Sequence, residues 1–268
     1  MILPRILTAL VGIPVAVVFV HLGGAPYAVL VLGLAAMALH EYATLLFMGG
    51  RGVQRVLTVA GGTLLALSVA LSPARAGVPA ALAPMVLTGL ILASALRELL
   101  RPRHSLDRAA VSVFGALFIG WTLGHLVLLR ELAPHGEALS LVLLTAVWAT
   151  DTAAYSVGIP FGRHRLAEVV SPKKSWEGAA AGLAGALLAV WGARALCLDW
   201  LSPAQILVSG LLIGVLGQAS DLSQSLVKRA SGMKDSGTLL PGHGGVFDRV
   251  DSLLLLAPVY YYFWLFQH

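Results

Sequence analysis

Apolar residues run along this chain in long blocks separated by short polar stretches. The blocks are continuous and lack the period-two alternation of barrel strands, so they predict helices. A helix needs about 20 mostly apolar residues to cross a hydrocarbon core. Nine such runs are found, at roughly 5–22, 26–48, 54–72, 79–97, 109–129, 138–158, 178–198, 204–221 and 252–267. The third and fourth are rich in Ala and Gly and are parted only by residues 71–78. The first run ends in Leu22-Gly23-Gly24-Ala25-Pro26, which predicts a tight turn between helices rather than the cleavage site of a signal peptide.

Composition narrows the class. Of 268 residues, 58% are hydrophobic and 12% charged, and the mean hydropathy is +0.85. Soluble domains carry about 25% charge, so the list excludes an ordinary soluble enzyme and a disordered chain. Cys197 is the single cysteine, which excludes a disulfide scaffold. The expected fold is therefore all-α: a polytopic integral membrane helix bundle of about nine transmembrane helices.

The net charge of +5 would suggest nucleic acid in a soluble protein. In a membrane protein it sets orientation. With nine spans, 15 of the 18 Lys and Arg fall on one side, and Arg75, Arg130 and Arg194 on the other. By the positive-inside rule the N-terminus is cytoplasmic and the C-terminus lies outside, as in a bacterial-type inner (plasma) membrane. Most connections are short. The stretches near 159–177 and 222–251 are long, polar and cytoplasmic, and eight of the 13 acids follow residue 150. Residues 1–135 thus read as transmembrane scaffold and 136–268 as the catalytic region.

Within that region, Asp151 lies inside an apolar run with Tyr155 one turn on. A carboxylate there costs roughly 2.5–3.5 kcal/mol on insertion scales, which makes it functional by default. His40-Glu41 also lies inside a span, where a structural hydrogen bond between helices serves equally well, and His125 reads as packing. Ser171-Pro172 followed by Lys173-Lys174-Ser175-Trp176-Glu177-Gly178 predicts a helix start with Ser171 as cap. Two lysines there oppose the helix dipole unless an anion is held. Gln218, Asp221, Ser225 and Lys228 share one face of a helix by their spacing. Beyond Arg229, Lys234 and Asp235, the run Pro241-Gly242-His243-Gly244-Gly245 lets the backbone turn tightly and approach a ligand. Asp248 and Asp251 are three apart at the expected start of the last helix, with Arg249 between them.

Oxygen-only carboxylates suit Mg²⁺, and no Cys/His spacing supports zinc. Lys and Arg beside such a metal suit polyphosphate. Neither a Walker loop nor a nucleophile elbow occurs. The residues alone reach a metal-dependent site for a phosphate-rich ligand at the cytoplasmic face.

The stretch from Ser225 through Lys228-Arg229, Lys234-Asp235 and Leu240-Pro241-Gly242-His243-Gly244-Gly245-Val246-Phe247-Asp248-Arg249-Val250-Asp251 resembles the signature of the phosphatidate cytidylyltransferases, or CDP-diacylglycerol synthases. About ten fixed positions agree over the 27 residues 225–251. Residues 171–178 and 151–155 resemble the family's two other blocks, although Ser220, Ala153 and Arg163-His164 replace residues more usual there. The resemblance implies CMP transfer from CTP to phosphatidic acid at the bilayer, giving CDP-diacylglycerol and pyrophosphate in phospholipid biosynthesis. It implies Mg²⁺, with a second metal ion left open, held by Asp221 and Asp248 with Asp251 and Asp151 in or near that shell. Lys228, Arg229, Lys234 and Arg249 would neutralise the triphosphate, with Asp221, Lys228, Asp248 and Arg249 nearest the chemistry. Lys173, Lys174 and Ser175 would grip a phosphate. Ser225, Asp235 and His243 complete the expected substrate-binding set, and a homodimer stays an open alternative. An ion-coupled transporter would use Asp151, Glu41 and Asp221 as relay groups, but it predicts repeats in both halves, and none is found.

Overall fold

The computed structural model describes residues 3–72, 81–233, 236–237 and 244–267. Its helices fall on the apolar runs: α1 (Leu3–Leu22), α2 (Gly24–Met48), α3 (Gly62–Ala70), α4 (Leu82–Leu99), α5 (Leu106–Gly115), α6 (Thr122–Glu131), α7 (Gly136–Phe161), α8 (Trp176–Leu196), α9 (Pro203–Ala230) and α10 (Leu256–Leu265). A π-helical stretch, Leu57–Gly61, leads into α3, and another, Ala116–Trp121, joins α5 to α6. Among the described residues, six helical segments are long and apolar enough to cross a membrane: 24–48, 82–99, 106–130, 136–161, 176–196 and 203–230. Residues 10–22 and 57–70 are shorter apolar helices. Faces such as Ile91, Leu92 and Leu96 of α4, or Leu188 and Trp191 of α8, are exposed, as hydrocarbon allows and water does not. The chain is a membrane protein of the all-α class, built almost wholly of helices.

It divides into two compact units. The first comprises Met1–Glu131 and Val227–Val250, and the second Leu132–Leu226 and Asp251–His268. Helix α9 belongs to the second unit up to Leu226 and to the first from Val227.

In the first unit, α2 packs on α3 and α6. Lipid gives apolar helices little reason to associate, so close backbone packing and buried polar contacts hold them. At Gly120 a side chain would run into the Gly62 carbonyl, and at Gly124 a Cβ would stand 2.8 Å from the Ala66 carbonyl oxygen. Tyr42 of α2 donates its hydroxyl to the Val111 carbonyl at 2.8 Å. The turn between α4 and α5 is fixed by Glu98, which is 7% exposed. Its carboxylate takes Arg108 Nε and Gln54 Nε2, each at 2.7 Å, and the Ser105 amide at 3.1 Å. Ser105 itself caps α5. His125 is buried with Nδ1 2.8 Å from the Trp121 carbonyl oxygen, in keeping with a packing role.

In the second unit, α7 and α8 pack along one another. Side chains at Gly178 and Gly185 would meet the carbonyls of Ala154 and Ala149, each at 2.9 Å. Gln218 of α9 donates to the Ala179 carbonyl of α8 at 3.1 Å. His135 stacks on Trp200, which meets Trp264 of α10 edge-on.

Two expected helix starts are corrected. Ser171 is not a helix cap: residues Ser171–Ser175 form strand β2, paired antiparallel with β1 (Arg165–Ala167). The helix begins at Trp176, capped by Ser175, whose Oγ accepts from the Gly178 amide at 3.2 Å. Glu177 reaches back and accepts from the amides of Arg163 and His164, at 3.1 and 3.2 Å, which fastens the ribbon to α8. Nor do Asp248 and Asp251 open the last helix. They lie in successive 3₁₀ turns, Phe247–Arg249 and Asp251–Leu253, and α10 starts at Leu256.

Candidate functional site

In the first unit, the end of α9 and the turn at 244–249 bring Lys228 to Asp248. Lys228 Nζ donates to Asp248 Oδ1 at 2.7 Å, with the side chains 13% and 8% exposed. The second oxygen, Oδ2, accepts from Ser236 Oγ at 2.8 Å, Ser236 N at 3.1 Å and Gly245 N at 3.2 Å. A buried carboxylate so supplied has donors on both oxygens and is fixed in direction.

Helix α2 supplies the brace that sequence reading did not place. Glu41 is 7% exposed. Its Oε1 accepts from Val246 N, and its Oε2 from Phe247 N, both at 2.8 Å, with Ser236 Oγ also 3.1 Å from Oε2. Next to it, Tyr42 meets the Phe247 ring edge-on at 6.1 Å. At the far end of α2, Gly49 lies against the Ser231 backbone, with room for no Cβ. Arg51 Nε donates to the Ala230 carbonyl at 2.7 Å and so caps the end of α9. One helix therefore fixes both strands of chain that carry Lys228 and Asp248.

In the second unit, Lys174 at the end of β2 pairs with Asp221 of α9, Nζ to Oδ2, at 2.6 Å, each side chain about a quarter exposed. Ser225 Oγ lies 3.5 Å from Asp221 Oδ1. Lys173, on the same strand, is exposed. Ser175 is buried as the cap of α8. Asp251 accepts from Ser252 N at 2.7 Å, so its carboxylate caps its own turn. Ser220 joins α9 to this turn: its hydroxyl donates to the Asp251 carbonyl and accepts from Leu255 N at 3.0 Å. A glycine at 220 would lack that link. Asp151 and Tyr155 are exposed one turn apart on α7. Arg229 and Arg249 are exposed. Lys234, Asp235 and His243 lie outside the described residues.

Among the described residues, no group of three or more His, Cys, Asp or Glu is assembled, which does not suit zinc. Mg²⁺ takes one or two carboxylates and completes its shell with water and substrate phosphates. Asp221 and Asp248 each offer oxygen alone, with one ammonium as counter-charge, and fit that use.

Long apolar helices, with two Lys–Asp pairs that each have one member on α9, define a helical membrane protein. The chain belongs to the cytidylyltransferase family, which matches over residues 3–266. It is 31% identical to the phosphatidate cytidylyltransferase of Synechocystis sp., over 97% of this chain and 95% of that one. The phosphatidate cytidylyltransferase of Bacillus subtilis is 29% identical, over 96% of both. That of Haemophilus influenzae is 44% identical over 49% of this chain and 47% of its own.

Proposed function

We propose that this chain transfers CMP from CTP to phosphatidic acid, giving CDP-diacylglycerol and pyrophosphate for phospholipid synthesis. The reading rests on the family match along residues 3–266. A phosphate oxygen of the lipid attacks the α-phosphorus of CTP. The new P–O bond forms as the bond to the β-phosphate bridge breaks, and pyrophosphate leaves. The lipid phosphate is already ionised near neutral pH, since its second pKa is about 6. No strong base is needed; the demand is to hold polyanions together.

The two Lys–Asp pairs answer that demand. In each, an ammonium and a carboxylate neutralise one another while they wait. Asp221 and Asp248 would hold Mg²⁺, and Lys174 and Lys228 would meet phosphate oxygens. Bound Mg²⁺ would supply neutralisation of the triphosphate and of the departing pyrophosphate. Such binding would keep each pair's charge balanced, which suits groups placed beside apolar helices. Lys173, Arg229, Lys234 and Arg249 add positive charge for the phosphates. Ser225 steadies Asp221, and Ser175 holds β2 to α8 so that Lys174 is directed. Asp151 and Asp251 are proposed for the metal's outer shell, Asp235 to orient a neighbouring cation, and His243 to meet a phosphate oxygen. Detergent-purified protein with radiolabelled CTP, phosphatidic acid and Mg²⁺ is expected to form a lipid-extractable CMP conjugate. No such product, with active lipid and nucleotide controls, would refute the reading.

All nine apolar runs are proposed to cross the bilayer of a bacterial plasma membrane, with the N-terminus and the phosphate-binding segments cytoplasmic. The split of Lys and Arg supports this. The single cysteine tests it without engineering. Cys197 is exposed just beyond α8, the seventh run, and this topology puts it outside. A membrane-impermeant maleimide should label it in intact spheroplasts. Labelling only after permeabilisation would reverse the orientation or change the count.

A further inference from the structure

We infer that Glu41, a helix residue far from the signature in sequence, is a positioning residue for nucleotidyl transfer: it sets the backbone that aims Asp248. The inference rests on the proposed Mg²⁺–CTP reading of Asp248. Glu41 is 205 and 206 positions from the two amides it receives. A carboxylate buried within an apolar helix is costly, and this one accepts from Ser236 Oγ and from the amides of Val246 and Phe247. Those amides belong to Val246 and Phe247, the two residues before Asp248. Fixing them fixes the direction of the Asp248 side chain.

The chemistry requires an acceptor on both oxygens. Two N–H groups point at separate oxygens of Glu41, and backbone amides can only donate. A carboxylate satisfies both. An amide presents one oxygen and one NH₂, so one N–H would face another donor. Ser236 adds a second constraint. Its single hydroxyl proton lies within reach of Glu41 Oε2 and Asp248 Oδ2, at 3.1 and 2.8 Å. Its own amide already bonds Asp248. Glu41 and Asp248 are thus coupled through one side chain and through the intervening backbone. Residues that orient a metal-binding carboxylate in this way commonly change metal affinity or activity by about 10–100-fold when altered.

The test compares Glu41→Gln with Glu98→Gln, in the purified full-length protein. Glu98 is equally buried in the same unit, and its carboxylate accepts from Gln54, Ser105 and Arg108 at the turn between α4 and α5. Rates are measured against Mg²⁺ at saturating CTP. Thermal unfolding is followed with and without Mg²⁺ and CTP. For Glu41→Gln, half-saturating Mg²⁺ should rise about tenfold or more, and the protection by Mg²⁺ and CTP should shrink. Glu98→Gln should lower the unfolding midpoint yet leave the Mg²⁺ requirement of its folded fraction unchanged. If Glu41→Gln keeps the wild-type Mg²⁺ requirement and protection, or merely loses rate in step with folded protein, the inference fails. Wild-type protein that forms no CMP–lipid, or needs no Mg²⁺, would instead refute the reading on which it stands.

Discussion

Asp248→Asn is expected to abolish CDP-diacylglycerol synthesis, lowering the rate by roughly 10³-fold, as when a group that meets charge developing in the transition state is lost. Asparagine keeps the shape and one oxygen. It cannot keep the bonds. Oδ1 faces the Lys228 ammonium, and Oδ2 faces three donors from Ser236 and Gly245. Whichever way the amide turns, its NH₂ meets a donor. The largely covered Lys228 also loses its counter-ion, and breaking a buried pair costs about 3–5 kcal/mol. Lost activity could therefore reflect lost folding alone. The double variant Lys228→Met with Asp248→Asn separates the two, because removing both charges relieves the unpaired cation. Its unfolding midpoint should recover most of the single variant's loss, while its rate in the CTP assay stays at the floor. Recovery of activity along with stability would show that Asp248 matters only as the partner of Lys228.

How far the sequence announced this site depends on the range of each contact. The helices followed from apolar runs because each helix makes its backbone bonds within itself. The pairing of Lys228 with Asp248 lies within the 27-residue signature, and the family resemblance marked both. Glu41 carried one readable signal, a carboxylate in an apolar helix. Its role was hidden because its partners lie 195 to 206 positions on. The misplaced helix start has a local cause. Ser171 and Ser175 both stand before helix-compatible residues, and Pro172 favoured the first. What decides between them is the ribbon: Trp176 N donates to the His164 carbonyl at 2.9 Å, and Glu177 holds the amides of Arg163 and His164. The cap is set by pairing with the preceding strand, which spacing within 171–178 does not contain. The last helix starts later than its acids suggest for a similar reason. Asp251 serves its own turn and the Ser220 link rather than a helix N-terminus.

The Gly244-Gly245 pair also changes meaning. In sequence it suggested backbone kept bare for a ligand. In the structure the backbone is bare for two carboxylates. Gly244 has φ of +76°, which disfavours any side chain, and a Cβ there would crowd Asp248 Oδ2. A Cβ on Gly245 would overlap Glu41 Oε2 and Ser236 Oγ. Glycine at both positions lets α2 and the signature turn share one hydrogen-bonded cluster.

Gly245→Ala is accordingly expected to lower activity by about 10²-fold or more, as a misplacement near 1 Å of catalytic groups does, although it adds only a methyl group. Both atoms in the way are polar and buried, and both serve Asp248 directly or through the backbone. To admit the methyl, Glu41 must withdraw from Phe247 N or the turn must move from Ser236. Either shift redirects Asp248. The decisive measurement is a cycle with Glu41→Ala, which removes the obstructing carboxylate and opens the space. If the clash with Glu41 is the cause, Gly245→Ala should cost far less in the Glu41→Ala background than in the wild type. The double variant should then match Glu41→Ala in rate and in Mg²⁺ requirement. Independent, multiplying losses would mean that the methyl acts elsewhere, and that Glu41 is not the neighbour which requires glycine at this position.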